Sequence, residues 1–342
     1  MHTNKAPTIT LKIPQALVSK SFWLENLTIG NRQYPRFMSA PIDGITDSPL
    51  RQLIREFCPK ELLFTEMRHV ACIAHKKDEK DVLFAPIEHP LCFQVSANKL
   101  DFIESAMEKI LSKNVEMLNL NAGCPAKNIV KSGTGSALMA NLPQLEKIIK
   151  LLTKSIDSAV PLTLKIRAGF KEKNALEVSQ LAQDLGIQAI IIHPRTQPEG
   201  FTSPLDFDLV KKIKETVKIP VIFSGNVNSF TRAKLTYEKT GVDGFMVGRA
   251  LYGAPWKIHE IKEESQGRKF EICTKKMLEY ALKHLELASQ YYGQGHGFNV
   301  FKKQVPLYIR KIEGASLMRQ TLLRTQTEEE MKNLLKNELL KI

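Results

Sequence analysis

The segment 119–125, Asn-Leu-Asn-Ala-Gly-Cys-Pro, contains the residues of this chain that are best suited to chemistry. It follows the apolar run 115–118, so it stands where a buried strand would end. A cysteine between a glycine and a proline lies on a tight, rigid loop that can aim its sulfur at a substrate. Most free cysteines are instead buried core residues, and the segment alone leaves that alternative open. We predict a catalytic role for Cys124, with the Asn121 carboxamide beside it.

Eight short aliphatic runs alternate with amphipathic segments after residue 36. Such runs are typical of strands buried on both faces, and their alternation with helices is typical of βαβ units. The predicted strands are 36–40, 62–65, 90–95, 116–120, 162–166, 189–193, 221–224 and 244–247. Predicted helices between them include 101–111, 144–153, 175–185 and 207–216. The pattern favours an α/β fold of the (β/α)8 TIM-barrel type, with a doubly wound sheet as the alternative.

Polar, glycine or reactive residues follow every predicted strand. Enzymes with a (β/α)8 barrel carry their active sites at the C-terminal ends of the strands, so the barrel prediction requires such residues there. They are Asp43, Glu66, Gln94, Asn121 with Cys124, Lys165 with Arg167, His193 with Arg195, the Ser224–Asn226 segment, and Gly248 with Arg249. Polar residues at strand ends are also ordinary loop composition. Their presence after all eight strands favours a catalytic barrel.

Two segments after the last two strands are suited to a phosphate group. Glycines in Ser224-Gly225-Asn226 and Gly248-Arg249 let backbone N–H groups approach phosphate oxygens, and arginine adds a forked cationic contact. No GxGxxG motif follows the first strand and no GxxxxGK[ST] motif occurs. Flavin mononucleotide (FMN) therefore fits best. Its ring would cover the barrel mouth near Pro41 and Gln94, and Lys165 and His193 would stabilise negative charge on the reduced ring.

Composition limits the class of protein. The chain has 342 residues, of which 43% are hydrophobic and 25% charged, and it contains no apolar stretch of membrane-spanning length and no secretion leader, so we expect a cytoplasmic protein. Five cysteines without a CxxC pair argue against a disulfide framework and a metal site. The net charge of +13 favours an anionic partner, above all nucleic acid, although a lysine-rich proteome would produce the same balance.

The chain divides into three predicted parts. Residues 1–26 are expected to form a flexible tail, residues 27–256 the FMN-binding barrel, and residues 257–342 a small all-helical domain. Segments 274–289 and 328–340 show helical apolar spacing, and the glycine-rich stretch 292–297 predicts a turn between helices. Residues 24–37 are expected to form a hairpin that closes the bottom of the barrel.

Six motifs resemble those of the tRNA-dihydrouridine synthases, in particular the bacterial B-type branch. They occur in family order and are Ala-Pro-Ile-Asp-Gly-Ile-Thr-Asp at 40–47, Phe-Gln-Val at 93–95, Asn-Leu-Asn-Ala-Gly-Cys-Pro-Ala-Lys at 119–127, Thr-Leu-Lys-Ile-Arg at 163–167, His-Pro-Arg-Thr at 193–196 and Gly-Arg-Ala at 248–250. The segment around Cys124 is the most specific. Two positions depart from the family pattern: Ile42 replaces the usual Met, and Ser224 replaces a frequent Asn.

The resemblance implies an enzyme that reduces uridines in tRNA to 5,6-dihydrouridine with FMN and with NADPH or NADH as electron donor. It implies hydride transfer from the flavin to C6 of uracil and proton donation to C5 by Cys124, and a thiol can donate a proton at neutral pH. The implied cofactor-binding residues are Pro41, Ile42, Asp43, Gln94, Asn121, Lys165, His193, Arg195, Ser224, Gly225, Asn226, Gly248 and Arg249.

A uridine in folded RNA must leave its stack to reach a barrel mouth, so the rest of the tRNA must be bound elsewhere. The resemblance implies that the helical domain 257–342 binds it. Candidate phosphate contacts recur at spacings of seven and eight residues along one predicted helix face: Lys302, Lys303, Arg310 and Lys311. A solvated basic helix is the alternative. Lys127 and Lys131 lie next to the Cys124 loop and are further candidates. We expect a monomer with no membrane or metal partner.

Two other functions are compatible with parts of the sequence. An FMN barrel enzyme acting on a small pyrimidine, such as a dihydroorotate or dihydropyrimidine dehydrogenase, would use similar ring chemistry but would not need the basic helical segment. A flavin-free RNA-binding protein would retain the barrel only as a scaffold. Flavin colour in the purified protein separates this last alternative from the other two.

Overall fold

The computed structural model describes residues 22–75, 82–156, 158–310 and 314–341. Its strands form a two-stranded hairpin and one large parallel sheet. The strands are β1 Asn26–Ile29, β2 Arg32–Pro35, β3 Phe37–Ser39, β4 Leu63–Phe64, β5 Arg68–His69, β6 Leu91–Ser96, β7 Met117–Ala122, β8 Leu162–Gly169, β9 Ile190–Thr196, β10 Val221–Ser224 and β11 Gly244–Val247. All eight predicted strands are present, the last two with the predicted bounds.

The parallel sheet has the order β3-β11-β10-β9-β8-β7-β6-β4 and curls into a barrel. Its two end strands meet through two hydrogen bonds: the Ser39 backbone N–H donates to Leu62 O at 3.2 Å, and the Phe64 N–H donates to Ser39 Oγ at 2.9 Å. The sequential order around the barrel is the one that repeated βαβ units produce. The (β/α)8-barrel prediction is confirmed, and the doubly wound sheet is wrong.

The second barrel strand is interrupted, which the sequence did not indicate. Both β4 and β5 pair with β6, and the residues between them leave the ladder. Thr65 replaces the missing pairing, because its Oγ1 accepts the Gln94 backbone N–H at 3.0 Å. The interruption places the Glu66 side chain at the barrel mouth, where it accepts a hydrogen bond from the Gly44 N–H at 2.6 Å.

The barrel interior is apolar at the bottom and polar at the top. Side chains alternate along each strand, so that Met117 points inward to an apolar floor while Leu118 points outward to the helices. The β1–β2 hairpin covers this floor with Leu27, Ile29 and Tyr34. The hairpin prediction is confirmed, with a turn between Ile29 and Arg32.

Nine helices surround the barrel in the described part of the chain. They are α1 Ser48–Phe57, α2 Val70–His75, α3 Ile103–Leu111, α4 Lys127–Lys131, α5 Leu142–Ile156, α6 Ala175–Asp184, α7 Phe207–Thr216, α8 Phe230–Thr240 and α9 Lys257–Ser265. The four helices predicted between strands correspond to α3, α5, α6 and α7. None of the helices in the described residues is long and apolar enough to span a membrane.

Four helices follow the barrel: α10 Thr274–Tyr292, α11 Gln294–Tyr308, α12 Ala315–Arg324 and α13 Glu328–Leu340. They enclose a core of their own, with Phe301 and Leu285 fully buried in it. Helix α9 is different, because Ile258 and Ile261 pack into the core around the barrel. We therefore propose that the domain boundary follows Ser265, not residue 256. The turn predicted at 292–297 is shorter than expected, since α11 begins at Gln294.

The N-terminal part differs from the expected tail. Residues 1–21 lie outside the described part of the chain. Trp23 is buried and its ring lies 5.4 Å from that of Phe245 on β11. Arg36 secures the same segment by donating to Phe22 O at 2.7 Å and to Asp243 O at 2.7 Å. Phe22 and Trp23 are therefore packed against the barrel, because an apolar indole gains most when it is removed from water.

Candidate active site

The Cys124 loop is held by the strand that precedes it. Asn121, at the end of β7, accepts two backbone N–H groups with its Oδ1, from Gly123 at 3.1 Å and from Cys124 at 2.9 Å. Arg167 on the neighbouring strand β8 donates to Gly123 O at 3.0 Å. The thiol is half-buried, so it is held in place and still accessible from the barrel mouth.

A second segment supports the loop from below. The Ser136 N–H donates to Cys124 O at 3.0 Å, and Gly135 approaches the same residue closely. A Cβ at Gly135 would lie 2.7 Å from Cys124 O and 3.0 Å from Cys124 Cβ, closer than real Cβ atoms come. Gly135 also has φ of +60°, which favours glycine. Only glycine fits this position without moving the cysteine.

A chain of carboxamides crosses the barrel beneath the loop. The Asn121 Nδ2 donates to Gln94 Oε1 at 2.9 Å, the Gln94 Nε2 donates to Asn119 Oδ1 at 2.7 Å, and the Asn119 Nδ2 donates to Thr163 Oγ1 at 2.8 Å. The Thr163 hydroxyl completes the chain by donating to Leu118 O at 3.0 Å. Because these side chains are buried and satisfied, they hold one arrangement of the cysteine loop.

Basic side chains collect on the side of the mouth formed by β8, β9 and β11. The group consists of Lys165, Arg167, His193, Arg195 and Arg249, and we call it the cationic cluster. Each of its cations depresses the pKa of His193. Arg167 and Arg195 are anchored by backbone carbonyls, with 2.8 Å from Arg167 Nη1 to Thr196 O and 2.7 Å from Arg195 Nε to Ser203 O. Among the described residues, Lys165 Nζ has no hydrogen bond or ion pair. Unneutralised charge at a barrel mouth is suited to an anionic ligand.

Burial and neighbouring cations set the protonation of this cluster. Burial, followed by the Arg167 charge, lowers the pKa of Lys165 to about 8. Burial lowers the pKa of His193 far below its ordinary value, and the surrounding cations lower it further. Arg195 Nη1 lies 3.4 Å from His193 Nε2, and because arginine can only donate, this contact favours the neutral tautomer with its proton on Nδ1. His193 is thus neutral. The expected positive potential comes from the lysine and the arginines, not from the imidazole.

The phosphate-binding prediction falls on a compact group of backbone turns. Asn226 has φ of +53°, and its Oδ1 accepts a hydrogen bond from Arg249 Nη2 at 3.0 Å. The Arg249 guanidinium also lies 4.5 Å from the centroid of the exposed Phe201 ring. Gly248 leaves a gap beside Ala40 and Ile42. A Cβ at this position would fill the gap and would lie 3.4 Å from Ala40 Cβ and 3.5 Å from Ile42 Cδ1. An exposed arginine beside open backbone fits a phosphate group.

The loop after β3 completes the mouth. Its residues 41–46 form a turn in which the Ile42 N–H donates to Thr46 Oγ1 at 2.8 Å. Ile42 lies beside Gly248, so the first and last strands of the barrel meet here. The Asp43 side chain is 85% exposed and lies 3.8 Å from Arg68 Nη1, so it points away from the barrel axis toward solvent. Pro41 and Ile42 thus line the mouth more directly than Asp43 does.

The predicted RNA-contacting residues fall into two groups. Lys127 and Lys131 are exposed on the short helix α4, directly after the cysteine loop. Lys303 is exposed on α11, whereas Lys302 donates to Thr325 O at 2.5 Å and packs over the Phe298 ring at 5.5 Å. The prediction of one continuous helix face is wrong for Arg310.

Helix α11 ends at Tyr308 and therefore does not reach Arg310, which is exposed beyond it. Pro306, inside the helix, removes one backbone donor near this end. Lys311 lies outside the described residues. The basic residues of this segment consequently lie on a helix and the turn after it.

Sequence reasoning did not single out Asn119 and Thr163, which belong to the carboxamide chain. Their signal was the two-residue period of a strand, because positions two residues before a predicted site residue point to the same face. Glu66 and Arg167 were predicted as polar residues at strand ends. The structure adds their roles, since Arg167 fixes the cysteine loop and Glu66 fixes the first loop.

The fold is a (β/α)8 barrel of the kind found in enzymes, and its mouth carries a half-buried cysteine beside a cluster of basic side chains. The sequence model of the family described as Dihydrouridine synthase (Dus) matches residues 38–342. The chain belongs to this family. The resemblance predicted from the six motifs is thereby confirmed.

Similar proteins cover almost the whole chain. A protein of Synechocystis sp. named probable tRNA-dihydrouridine synthase 1 is 31% identical over 333 residues, which are 94% of this chain and 93% of the relative. A tRNA-dihydrouridine synthase B of Vibrio parahaemolyticus is 30% identical and covers 86% of this chain and 93% of its own. The second of these agrees with the predicted B-type branch.

Solved structures agree on the fold. The old yellow enzyme homologue from Zymomonas mobilis superposes with a TM-score of 0.55 at 12% identity, covering 71% of this chain and 92% of its own. Morphinone reductase in complex with tetrahydroNAD gives 0.53 at 10% identity, covering 71% and 91%. Both support a barrel architecture for this chain. In the residues that the structure describes, no group of three or more His, Cys, Asp or Glu side chains is arranged to hold a metal.

Proposed function

We propose that this protein reduces uridines in tRNA to 5,6-dihydrouridine, with FMN as cofactor and NADPH or NADH as electron donor. The observation that carries the proposal is the position of Cys124. Its half-buried thiol is fixed at the barrel mouth, beside the cationic cluster that begins on the neighbouring strand β8. Membership of the dihydrouridine synthase family favours a tRNA substrate over a small pyrimidine.

The residues present fit FMN. Arg249, Asn226 and the backbone around Gly225 and Gly248 would hold its phosphate, because they combine an exposed guanidinium with open backbone. Lys165 would face the ring and supply positive charge, with neutral His193 as a hydrogen-bonding group. The other proposed contacts are Pro41, Ile42, Asp43, Gln94, Asn121, Arg195 and Ser224. Bound FMN supplies a hydride for C6 of the uracil ring.

The chain itself supplies the proton. Hydride addition at C6 places negative charge on C5 and the C4 carbonyl, and the Cys124 thiol neutralises it by donating its proton to C5. Solvent then reprotonates the thiolate. Asn121 holds the thiol loop in register, and the nearby Lys165 and Arg167 stabilise the thiolate electrostatically. The product carries one additional C–H bond at C5 and one at C6.

The tRNA would be held outside the barrel. A uridine must leave its stack to reach Cys124, at a cost of a few kcal/mol, which contacts to the rest of the RNA must offset. Lys127 and Lys131 are suited to the phosphates next to the reacting nucleotide. Lys303 and Arg310 are suited to a more distant part of the RNA backbone.

That the protein acts as a cytoplasmic monomer stays a prediction, which light scattering and cell fractionation can test.

The test is dihydrouridine formation in unmodified tRNA transcripts, measured by nucleoside mass spectrometry with NADPH and with NADH. Three proteins are compared: wild type, Cys124→Ala, and Cys72→Ala, in which an exposed cysteine on α2 is removed. We expect product from wild type and Cys72→Ala, and a loss of at least roughly a hundredfold in Cys124→Ala, the usual effect of removing a general acid. A flavin-loaded wild type that forms no product with any tRNA would point to the small-pyrimidine alternative.

A further inference from the structure

The helical segment after the barrel touches the first barrel loop through a tyrosine. Tyr292, the last residue of α10, donates from its hydroxyl to Asp47 Oδ2 at 3.0 Å. Asp47 is buried and caps helix α1, since its Oδ1 accepts the Leu50 N–H at 3.1 Å. It directly follows the 41–46 loop. The contact joins the C-terminal helices to the base of that loop.

A second contact reaches the same loop. Gln304 on α11 lies with its Nε2 3.5 Å from Gly44 O, at the outer limit of a hydrogen bond. From the barrel side, Glu66 accepts the Gly44 N–H at 2.6 Å, and Thr46 O accepts from Arg51 Nη1 at 2.6 Å. The loop is therefore held between barrel and helices. A change on the helical side would shift Pro41 and Ile42, which lie within the same turn.

Asp47 depends on its donors. Burial raises its pKa to about 6, so the carboxyl is mainly ionised at neutral pH although it lies in the interior. A buried carboxylate is stable only if N–H and O–H groups solvate it. Tyr292 supplies one of the two hydrogen bonds that the Asp47 carboxylate accepts in the described residues. Loss of the tyrosine hydroxyl would leave Oδ2 without a donor and would loosen the start of α1 and the loop before it.

We propose that Tyr292 is a positioning residue for the flavin, acting through Asp47 on the 41–46 loop. The proposal rests on the proposed function, because it assumes that this loop contacts FMN. It adds that the C-terminal helices, besides contacting tRNA, complete the cofactor site of the barrel. Tyr292 itself touches neither the ring nor the substrate.

The chain provides a matched control for this role. Tyr280 lies on the same helix α10 and donates to a carboxylate of the same helix α1, with 3.0 Å from its hydroxyl to Glu56 Oε2. Glu56 is at the far end of α1, away from the loop. Tyr292→Phe and Tyr280→Phe thus each remove one tyrosine-carboxylate hydrogen bond between the helices and the barrel. Only the first removes a contact to the loop base.

The experiment compares the full-length, flavin-loaded wild type with the two variants. The FMN dissociation constant is measured from flavin fluorescence on dilution, together with the visible circular dichroism of bound flavin, the tRNA dissociation constant and the thermal midpoint. We expect Tyr292→Phe to weaken FMN binding by roughly five- to tenfold, less than the full effect of one hydrogen bond to a charged group because Tyr292 acts on the flavin only through the loop. Its flavin dichroism should change while its affinity for tRNA stays within about twofold of wild type. Tyr280→Phe should lower the thermal midpoint less, because Glu56 is exposed and also pairs with Lys283, and should leave FMN binding unchanged.

Equal FMN affinities in the two variants would overturn the proposal, whether both match the wild type or both are weakened. A wild type that retains no FMN would instead contradict the proposed function. If Tyr292→Phe does not fold, Gln304→Met removes the second contact to the loop, at Gly44. That variant must then show weaker FMN binding and an altered flavin dichroism, and unchanged values would overturn the positioning role.

Discussion

Asn121 and Cys124 are joined by a hydrogen bond in which the Asn121 Oδ1 accepts the Cys124 backbone N–H at 2.9 Å. The same carboxamide donates to Gln94 at 2.9 Å, so the position of the cysteine is set from inside the barrel. Without this hydrogen bond the thiol would move with every fluctuation of the loop that carries it. Connection to a buried chain of carboxamides reduces that freedom, and small displacements at a reacting centre have large effects on rate.

Replacing Asn121 by alanine should therefore affect rate and stability together. The backbone N–H groups of Gly123 and Cys124 would lose their acceptor, at a cost of about 1–3 kcal/mol in the free energy of unfolding. The single-turnover rate of dihydrouridine formation should fall by roughly tenfold or more, since the thiol is no longer held. Rapid-quench kinetics and urea denaturation measure the two effects. Asn141→Ala is the control, because Asn141 also caps backbone, at Gln144 N, but far from the site. An unchanged rate in Asn121→Ala would contradict the positioning of Cys124 by this residue.

Two neighbouring glycines should respond differently to alanine. Gly133 and Gly135 both have positive φ, +78° and +60°, so each substitution costs roughly 1–2 kcal/mol of backbone strain. At Gly133 the new Cβ would meet only Asn98 Cβ at 3.9 Å, whereas at Gly135 it would overlap Cys124 O. We expect Gly133→Ala to retain most activity and Gly135→Ala to lose stability further and most of its turnover. Thermal unfolding and dihydrouridine assays on both variants test this, and equal losses would argue against the close contact.

Lys165 predicts a specific pH dependence. Its pKa is about 8 in the folded protein and 10.5 in the unfolded chain, so between these values only the unfolded state holds the proton. The free energy of unfolding of the flavin-free protein should rise with pH in this window, by up to about 1.4 kcal/mol per unit. A bound anion favours the protonated amine, so the FMN dissociation constant should increase as pH rises above about 8.

Denaturation curves and FMN titrations between about pH 7 and 10 measure both trends. In Lys165→Met both should flatten, while Lys154→Met, which removes an exposed lysine on α5, should behave like the wild type. FMN affinity that stays constant across this range in the wild type would show that Lys165 does not face the anionic flavin.

Adjacent lysines on α11 should separate RNA binding from packing. Lys302 is fixed to Thr325 O and over the Phe298 ring, so Lys302→Ala should lower the thermal midpoint. Lys303 is exposed and makes no such contacts with any residue that the structure describes, so Lys303→Ala should leave the midpoint unchanged and weaken tRNA binding. The slope of log affinity against log salt should decrease in magnitude by roughly 0.7–0.9 in Lys303→Ala, the value for one phosphate contact. Filter binding at several salt concentrations checks it. An unaltered slope would remove Lys303 from the proposed RNA surface.

Much of the barrel could be predicted because its strands are short, buried runs with clear ends. The bounds of β10 and β11 agree with prediction, and the ring of polar residues after the strands lies on one face of the barrel as expected. Lys165 and His193 were predicted at two of these strand ends, and both lie in the cationic cluster at the mouth. The helix face from Lys302 to Arg310 could not be predicted, since whether α11 continues past Pro306 depends on packing.

The amino-acid order alone determined the barrel, the cysteine loop and the family, because these depend on local patterns: buried runs, turn residues and short motifs. Tertiary structure decided which side chains share a hydrogen bond across the barrel, from Asn121 to Thr163, and how α10 meets the first loop at Asp47. Tertiary structure also decided the protonation of Lys165 and His193, since their pKa values depend on burial and on cations from other strands. Such distances and dielectric environments arise only when residues far apart in the chain are brought together.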